Sequence, residues 1–142
     1  MMRLMLNDPF STPDGKKRFS VLSEIGKRTE ETLRKHLQAF GSGDVDAILT
    51  DYDEAAVFIK QDGTLRGTDE IRSFFESLVA DLPPGSALDV SEQIVEEDIA
   101  YIVWSGESEK VKIPFASDTF IVRVGKIVAQ TLAAQMEKKA SA

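Results

Sequence analysis

The 142-residue chain contains no cysteine, so disulfides, thiolate chemistry and cysteine-ligated metal sites are excluded, and the redox compartment stays unread. It has a single histidine, which rules out a histidine-rich zinc site but leaves an all-oxygen metal site open. Basic charge is in the minority: 17 Lys and Arg stand against 24 Asp and Glu, a formal net charge of −7. That balance argues against nucleic acid, which calls for a basic stripe, and against an anionic membrane surface. Solubility alone accounts for a charge of this size, so it names no cationic substrate. No apolar run approaches membrane length, and the opening Met1-Met2-Arg3-Leu4-Met5-Leu6 is too short for a signal segment before Asn7-Asp8-Pro9 interrupts it. The expected setting is therefore the cytoplasm.

What remains is an ordinary globular composition, 42% hydrophobic and 29% charged, long enough for one domain with a sizeable core. Residues 1–20, with Pro9, Pro13, Gly15 and the run Lys16-Lys17-Arg18, read as an arm outside that core. Residues 21–137 read as the single domain and 138–142 as a tail. Apolar residues at 22, 25, 33, 37 and 40 have helical spacing, and His36 lies on or beside that stripe. Gly41-Ser42-Gly43 stops the helix, and Asp44 caps a short second one carrying Val45, Ile48, Leu49 and Tyr52. A strand over 55–59 and an Asp62-Gly63 turn follow. A third helix opens at Gly67-Thr68-Asp69-Glu70, with the Thr68 hydroxyl as its cap and acids in its first turn, and runs through Ile71, Phe74, Phe75, Leu78, Val79 and Leu82 to Pro83-Pro84-Gly85.

The rest is strand territory. Leu88, Val90 and Ile94 alternate with polar residues, and residues 99–104 form a continuous apolar run expected to be covered on both faces. Residues 112–123 make a long strand in which Pro114 marks an edge or a bulge. Gly125 supplies a tight turn into a last strand from Lys126 to Gln135. Helix, helix, strand, helix and four strands is an α+β plan, with helices laid into a curled, largely antiparallel sheet.

Four segments together resemble the nuclear transport factor 2-like superfamily: Ala39-Phe40-Gly41-Ser42-Gly43-Asp44-Val45-Asp46-Ala47-Ile48, residues 52–58, Gly67-Thr68-Asp69-Glu70-Ile71-Arg72-Ser73-Phe74-Phe75, and Asp118-Thr119-Phe120 with Gly125-Lys126-Ile127. Within it the chain is most similar to the SnoaL-like polyketide cyclase branch and the ketosteroid isomerases. The resemblance implies a cone with a mostly apolar pocket, no cofactor, a small apolar ligand, and a homodimer formed through the outer face of the sheet. It does not imply one reaction. Against the isomerase pattern, Asp118 matches the aspartate that stays protonated in the oxyanion hole. The oxyanion-hole tyrosine falls at His36, and the general-base aspartate falls at Lys60, where a lysine cannot replace that base without a large pKa depression.

These positions give the candidate site. Asp118 begins an apolar strand segment, where a carboxylate needs a partner, a proton or a cavity. It is the candidate acid, with His36 as its acid/base partner. Tyr52, Phe58, Phe74, Trp104 and Phe120 are candidate pocket wall, with the face of Trp104 left open by a strand apolar on both sides. Gln130 either orients a ligand or ties to a polar neighbour. Lys60 is expected to reach solvent at the mouth. Asp51, Asp53 and Glu54 read as a solvated acidic face with no metal signature. Three functions stay open: a cofactor-independent enzyme on a small apolar carbonyl compound, a non-catalytic ligand binder, and an association domain.

Overall fold

The computed structural model describes residues 22–140 and the backbone of residues 2–3; most of the expected arm, and the last two residues of the expected tail, lie outside the described residues. Helix α1 (Glu24–Ser42) starts where the Ser23 hydroxyl accepts a hydrogen bond from the Gly26 amide at 2.9 Å. It buries Thr29, Thr32, Leu33, His36 and Leu37 along one stripe. The two threonines satisfy their buried hydroxyls by donating to the carbonyls one turn back, Ile25 and Arg28, at 3.0 and 2.9 Å. The helix ends at Gly43, which is left-handed (φ 73°). A Cβ there would stand 2.7 Å from the Pro84 ring, so glycine is required twice over. Helix α2 (Val45–Leu49) is capped as expected by Asp44, which accepts from the Ala47 amide at 3.1 Å.

Helix α3 (Gly67–Asp81) buries Ile71, Phe75 and Leu78. Its cap differs from the expected Thr68 hydroxyl. Arg66 is the N-cap, without a side-chain cap bond, and its amide is instead satisfied by the Glu70 carboxylate at 2.8 Å.

Among the described residues, seven strands form one open sheet in the order β1-β4-β5-β6-β7-β2-β3. They are β1 (Met2–Arg3), β2 (Tyr52–Lys60), β3 (Gly63–Arg66), β4 (Ala87–Glu96), β5 (Ile99–Glu107), β6 (Val111–Arg123) and β7 (Lys126–Lys138). Four of the six pairings are antiparallel; β1–β4 and β2–β7 are parallel. Strand β3 was not expected, and β7 continues three residues beyond the expected end at Gln135. Register shifts interrupt β4–β5, β5–β6 and β6–β7, including one between Lys112 and Phe115. Pro114 therefore sits at a bulge in a central strand, where its missing donor is tolerated. Such bulges bend the sheet around α1 and α3, giving the α+β cone.

Burial alternates along β6: Ala116, Asp118, Phe120 and Val122 face the helices and are buried, while Ser117, Thr119 and Ile121 between them are half-covered. The expectation of two covered faces for residues 99–104 is corrected here. Ala100 and Ile102 are buried, but Ile99 and Tyr101 are exposed on the convex side. The register aligns Ile94, Tyr101, Thr119, Thr131 and Ile59 across five strands of that side. Strand β5 is apolar on both sides although only its inner face packs against this chain's helices.

Candidate functional site

The cone's interior holds a cavity of about 50 Å³, room for roughly four water-sized spheres. Helix α1 contributes His36, Leu37 and Phe40 to its wall, and α3 contributes Phe74, Phe75 and Leu78. The sheet adds Phe58, Trp104, Asp118, Phe120, Gln130 and Leu132, among others. Pairing explains the floor. Asp118 lies opposite Ile102 on one side and Leu132 on the other, and Phe120 opposite Gln130. Trp104 and Gln130 are therefore diagonal neighbours of Asp118 on the inner face, within reach of its carboxyl group. This register also settles the face of Trp104, which is inward.

Asp118 is buried and accepts two hydrogen bonds, from Trp104 Nε1 to Oδ1 at 2.7 Å and from Gln130 Nε2 to Oδ2 at 2.7 Å. The Gln130 carbonyl oxygen in turn accepts from the Tyr52 hydroxyl. Of the two roles open to Gln130, the structure shows the tie to polar neighbours. Burial pushes the Asp118 carboxyl up from 3.8 to about 6, and the two donors oppose that rise without cancelling it. Burial, joined by the nearby carboxylates of Asp118 and Asp51, also pushes the Tyr52 hydroxyl well above its ordinary value, so it stays a neutral donor.

His36 does not form the expected hydrogen bond with Asp118. Both carboxyl oxygens of Asp118 are taken by Trp104 and Gln130, and the His36 ring is packed edge-on against Tyr52, Phe75 and Phe120 at 5.4–5.9 Å between centroids. Its Nδ1 points instead toward Asp51 Oδ2, 3.9 Å away. Desolvation in this aromatic setting lowers the imidazole from 6.5 to about 4, so the ring is neutral at pH 7. Asp51 is the residue the sequence reading missed. The sequence groups it with Asp53 and Glu54 on a solvated face, yet only those two are exposed, while Asp51 is buried. The signal was its place three residues after the buried Ile48, in the turn that follows α2.

Phe58, Phe74, Trp104, Phe120 and Gln130 line the cavity with Asp118 and His36, whereas Tyr52 and Lys60 stand outside its wall. Tyr52 lies behind Gln130 as its hydrogen-bond donor. The Lys60 ammonium bonds Asp62 at 2.8 Å and sits 5.2 Å over the Phe74 ring, outside the cavity.

This cone matches known proteins. The model of the SnoaL-like domain family matches residues 33–130, more than half of the chain and all the cavity residues named above except Leu132. The chain belongs to the SnoaL-like domain family. No curated protein matches it. Among solved structures, a nuclear transport factor 2-like protein of unknown function from Burkholderia xenovorans LB400 superposes with a TM-score of 0.66 at 21% identity, covering 84% of this chain and 91% of that one. The epoxide hydrolase/cyclase-like enzyme SalBIII, of pyran ring formation in the polyether salinomycin, gives 0.66 at 20% identity over 80% and 97%. A de novo designed protein with a curved β-sheet gives 0.67 at 15% identity over 80% and 88%. A designed protein fits this SnoaL-like chain as well as a biosynthetic enzyme does, so these likenesses establish the fold, and the chemistry must be argued from the site. No helix among the described residues is long and apolar enough to cross a membrane.

Proposed function

We propose that this SnoaL-like protein is a cofactor-independent acid/base enzyme of isomerase, cyclase or dehydratase type, acting on a small apolar carbonyl compound. One observation carries the reading. A carboxyl group sits on the floor of an aromatic cavity, held by two donors yet raised to about 6 by burial. A group with that pKa gives and takes a proton near neutral pH at little cost. Protonated Asp118 donates to the carbonyl oxygen, and neutral His36 takes the proton from the adjacent carbon; reversing both transfers at another atom completes an isomerisation with no co-reactant. Tyr52 and Gln130 hold Asp118 in place, and Phe58, Phe74, Trp104 and Phe120 exclude water. The rim residues Phe40, Phe74 and Leu132 are half-buried, and their rotation enlarges the small resting cavity around a ligand.

This assignment requires Asp118 protonated and His36 neutral. Both conditions hold between about pH 4 and about pH 6 in the unliganded protein, so kcat/KM follows a bell with limbs near those values. The test is a screen of enolisable apolar ketones, read by turnover and by the fluorescence of Trp104, the only tryptophan in the chain and a cavity wall. Asp118→Asn abolishes turnover while leaving ligand affinity within a few-fold. Affinity lost together with turnover, or a ligand bound without turnover by the native protein, favours the second reading, a non-catalytic binder. The position of Lys60, turned out of the cavity where ketosteroid isomerases place their base, speaks for that second reading. The exposed apolar band through Ile94, Tyr101 and Ile59 supports association as a homodimer through the convex face, and light scattering that gives a monomer would remove it.

A further inference from the structure

The corner between α2 and β2 buries a second carboxylate that the chemistry above leaves unused. Asp51 is 5% exposed and His36 4%. Asp51 Oδ2 and His36 Nδ1 face each other at 3.9 Å, and neither atom has a hydrogen-bond partner among the described residues. The backbone around Asp51 is fixed from both sides. Its amide donates to the Ile48 carbonyl at 3.2 Å, and its carbonyl accepts from the Ile127 amide at 2.7 Å. A buried polar atom with no partner is rare in a folded protein, and here two of them point at one another.

The other groups acting on this pair are accounted for. Burial raises the pKa of Asp51, while the charges of Lys35 and Lys126 oppose that rise. Lys126 is held at the corner by donating to the Thr50 carbonyl at 2.5 Å. Tyr52, Phe75 and Phe120 meet His36 in T-shaped ring contacts, and the Tyr52 hydroxyl hydrogen is committed to Gln130. An ionised carboxylate only accepts hydrogen bonds, so the nitrogen facing it is the one that carries hydrogen.

We propose that Asp51 is a positioning residue for His36: it fixes the neutral imidazole in the Nδ1–H form and leaves Nε2 bare on the cavity side as the proton acceptor. When Nε2 takes a proton, the ring becomes a cation and the 3.9 Å gap to the Asp51 carboxylate closes to hydrogen-bonding distance. No atom is gained or lost beyond that proton, which comes from the ligand and returns to it. The use of the bare nitrogen rests on the acid/base reading above; the tautomer itself does not.

His36 is the only histidine in the chain, so histidine-selective ¹⁵N labelling of the full-length protein yields one imidazole and needs no assignment. At pH 7, without ligand, the expected spectrum has a protonated-type signal at Nδ1 and an unprotonated-type signal at Nε2. In Asp51→Leu, which removes the acceptor, the preference for Nδ1–H is lost. An Nε2–H ring or a doubly protonated ring in the native protein overturns the proposal. So does an unchanged Nδ1–H form in a folded Asp51→Leu variant. If that variant does not fold, the native spectrum alone decides. Because no substrate enters this measurement, absence of turnover in the ketone screen counts against the enzyme reading and leaves the tautomer result standing.

Discussion

Asp118 and His36 pull the pH dependence of stability in opposite directions, and removing either one should expose the other. The Asp118 carboxyl is raised from 3.8 to about 6 on folding. The folded state therefore holds a proton that the unfolded chain has released between those values, and stability falls as pH rises through that window. At about 1.4 kcal/mol per pKa unit, its contribution is about 3 kcal/mol, fully present below pH 3.8 and lost above about pH 6. His36 is lowered from 6.5 to about 4. The unfolded chain holds the extra proton there, so stability rises with pH across that window, again by about 3 kcal/mol. In the native protein the two slopes nearly cancel between pH 4 and 6. Asp118→Asn should uncover a gain of about 3 kcal/mol from pH 4 to 6.5, measured by urea unfolding at half-unit steps. The substitution is tolerable in place: the new amide keeps an oxygen for Trp104, and a turn of the Gln130 amide lets its oxygen accept from Asn and its nitrogen donate to the Tyr52 hydroxyl. His36→Phe should show the opposite slope. The exposed ion pairs of Glu31, Asp62 and Glu107 are common to both proteins and drop out of the difference. A variant curve parallel to the native one across pH 4–6.5 would refute the reasoning.

Three further substitutions test the frame around the site. Val124 occupies the β6–β7 turn at φ 51° and is 90% exposed; Val124→Asn relieves a β-branched residue in the left-handed region and should raise stability by about 1 kcal/mol, a urea midpoint shift without a change in slope. Gly43→Ala meets both the φ of 73° and the Pro84 ring, and should cost about 2 kcal/mol or more in the same assay. Tyr101→Lys on the convex face should leave a folded monomer by light scattering if that face joins two copies, and the same mass as the native protein if it does not.

The helices were legible because their signals are local. The stripe through Leu33, His36 and Leu37, the Asp44 cap and the Gly43 stop each lie within a few residues of what they determine. Asp118 was legible because a carboxylate within an apolar strand demands an explanation whatever its surroundings. Its partners were not legible, because they are set by register across three strands. The inward turn of Trp104 follows from the pairing of Ile102 with Asp118, and nothing within an all-apolar strand encodes that. The His36 ring packs among Tyr52, Phe75 and Phe120 with its Nδ1 turned toward Asp51, a placement likewise set by distant segments, so the expected His36–Asp118 pair failed for the same reason. Strand β3 escaped notice because only Leu65 of its four residues packs inward. Asp51 was hidden by its exposed acidic neighbours, although helical spacing from Ile48 marked it.

The central claim is that a proton-transferring carboxyl stands in an apolar cavity, and Asp118 reports on it directly. Its side-chain ¹³C carboxyl resonance, identified by its loss in Asp118→Asn, should be followed from about pH 3 to 9 with the cavity empty. A midpoint near 6, well above the ordinary value of 3.8, is expected. A midpoint at or below 3.8 would make Asp118 a satisfied structural carboxylate and contradict the acid/base reading of the site.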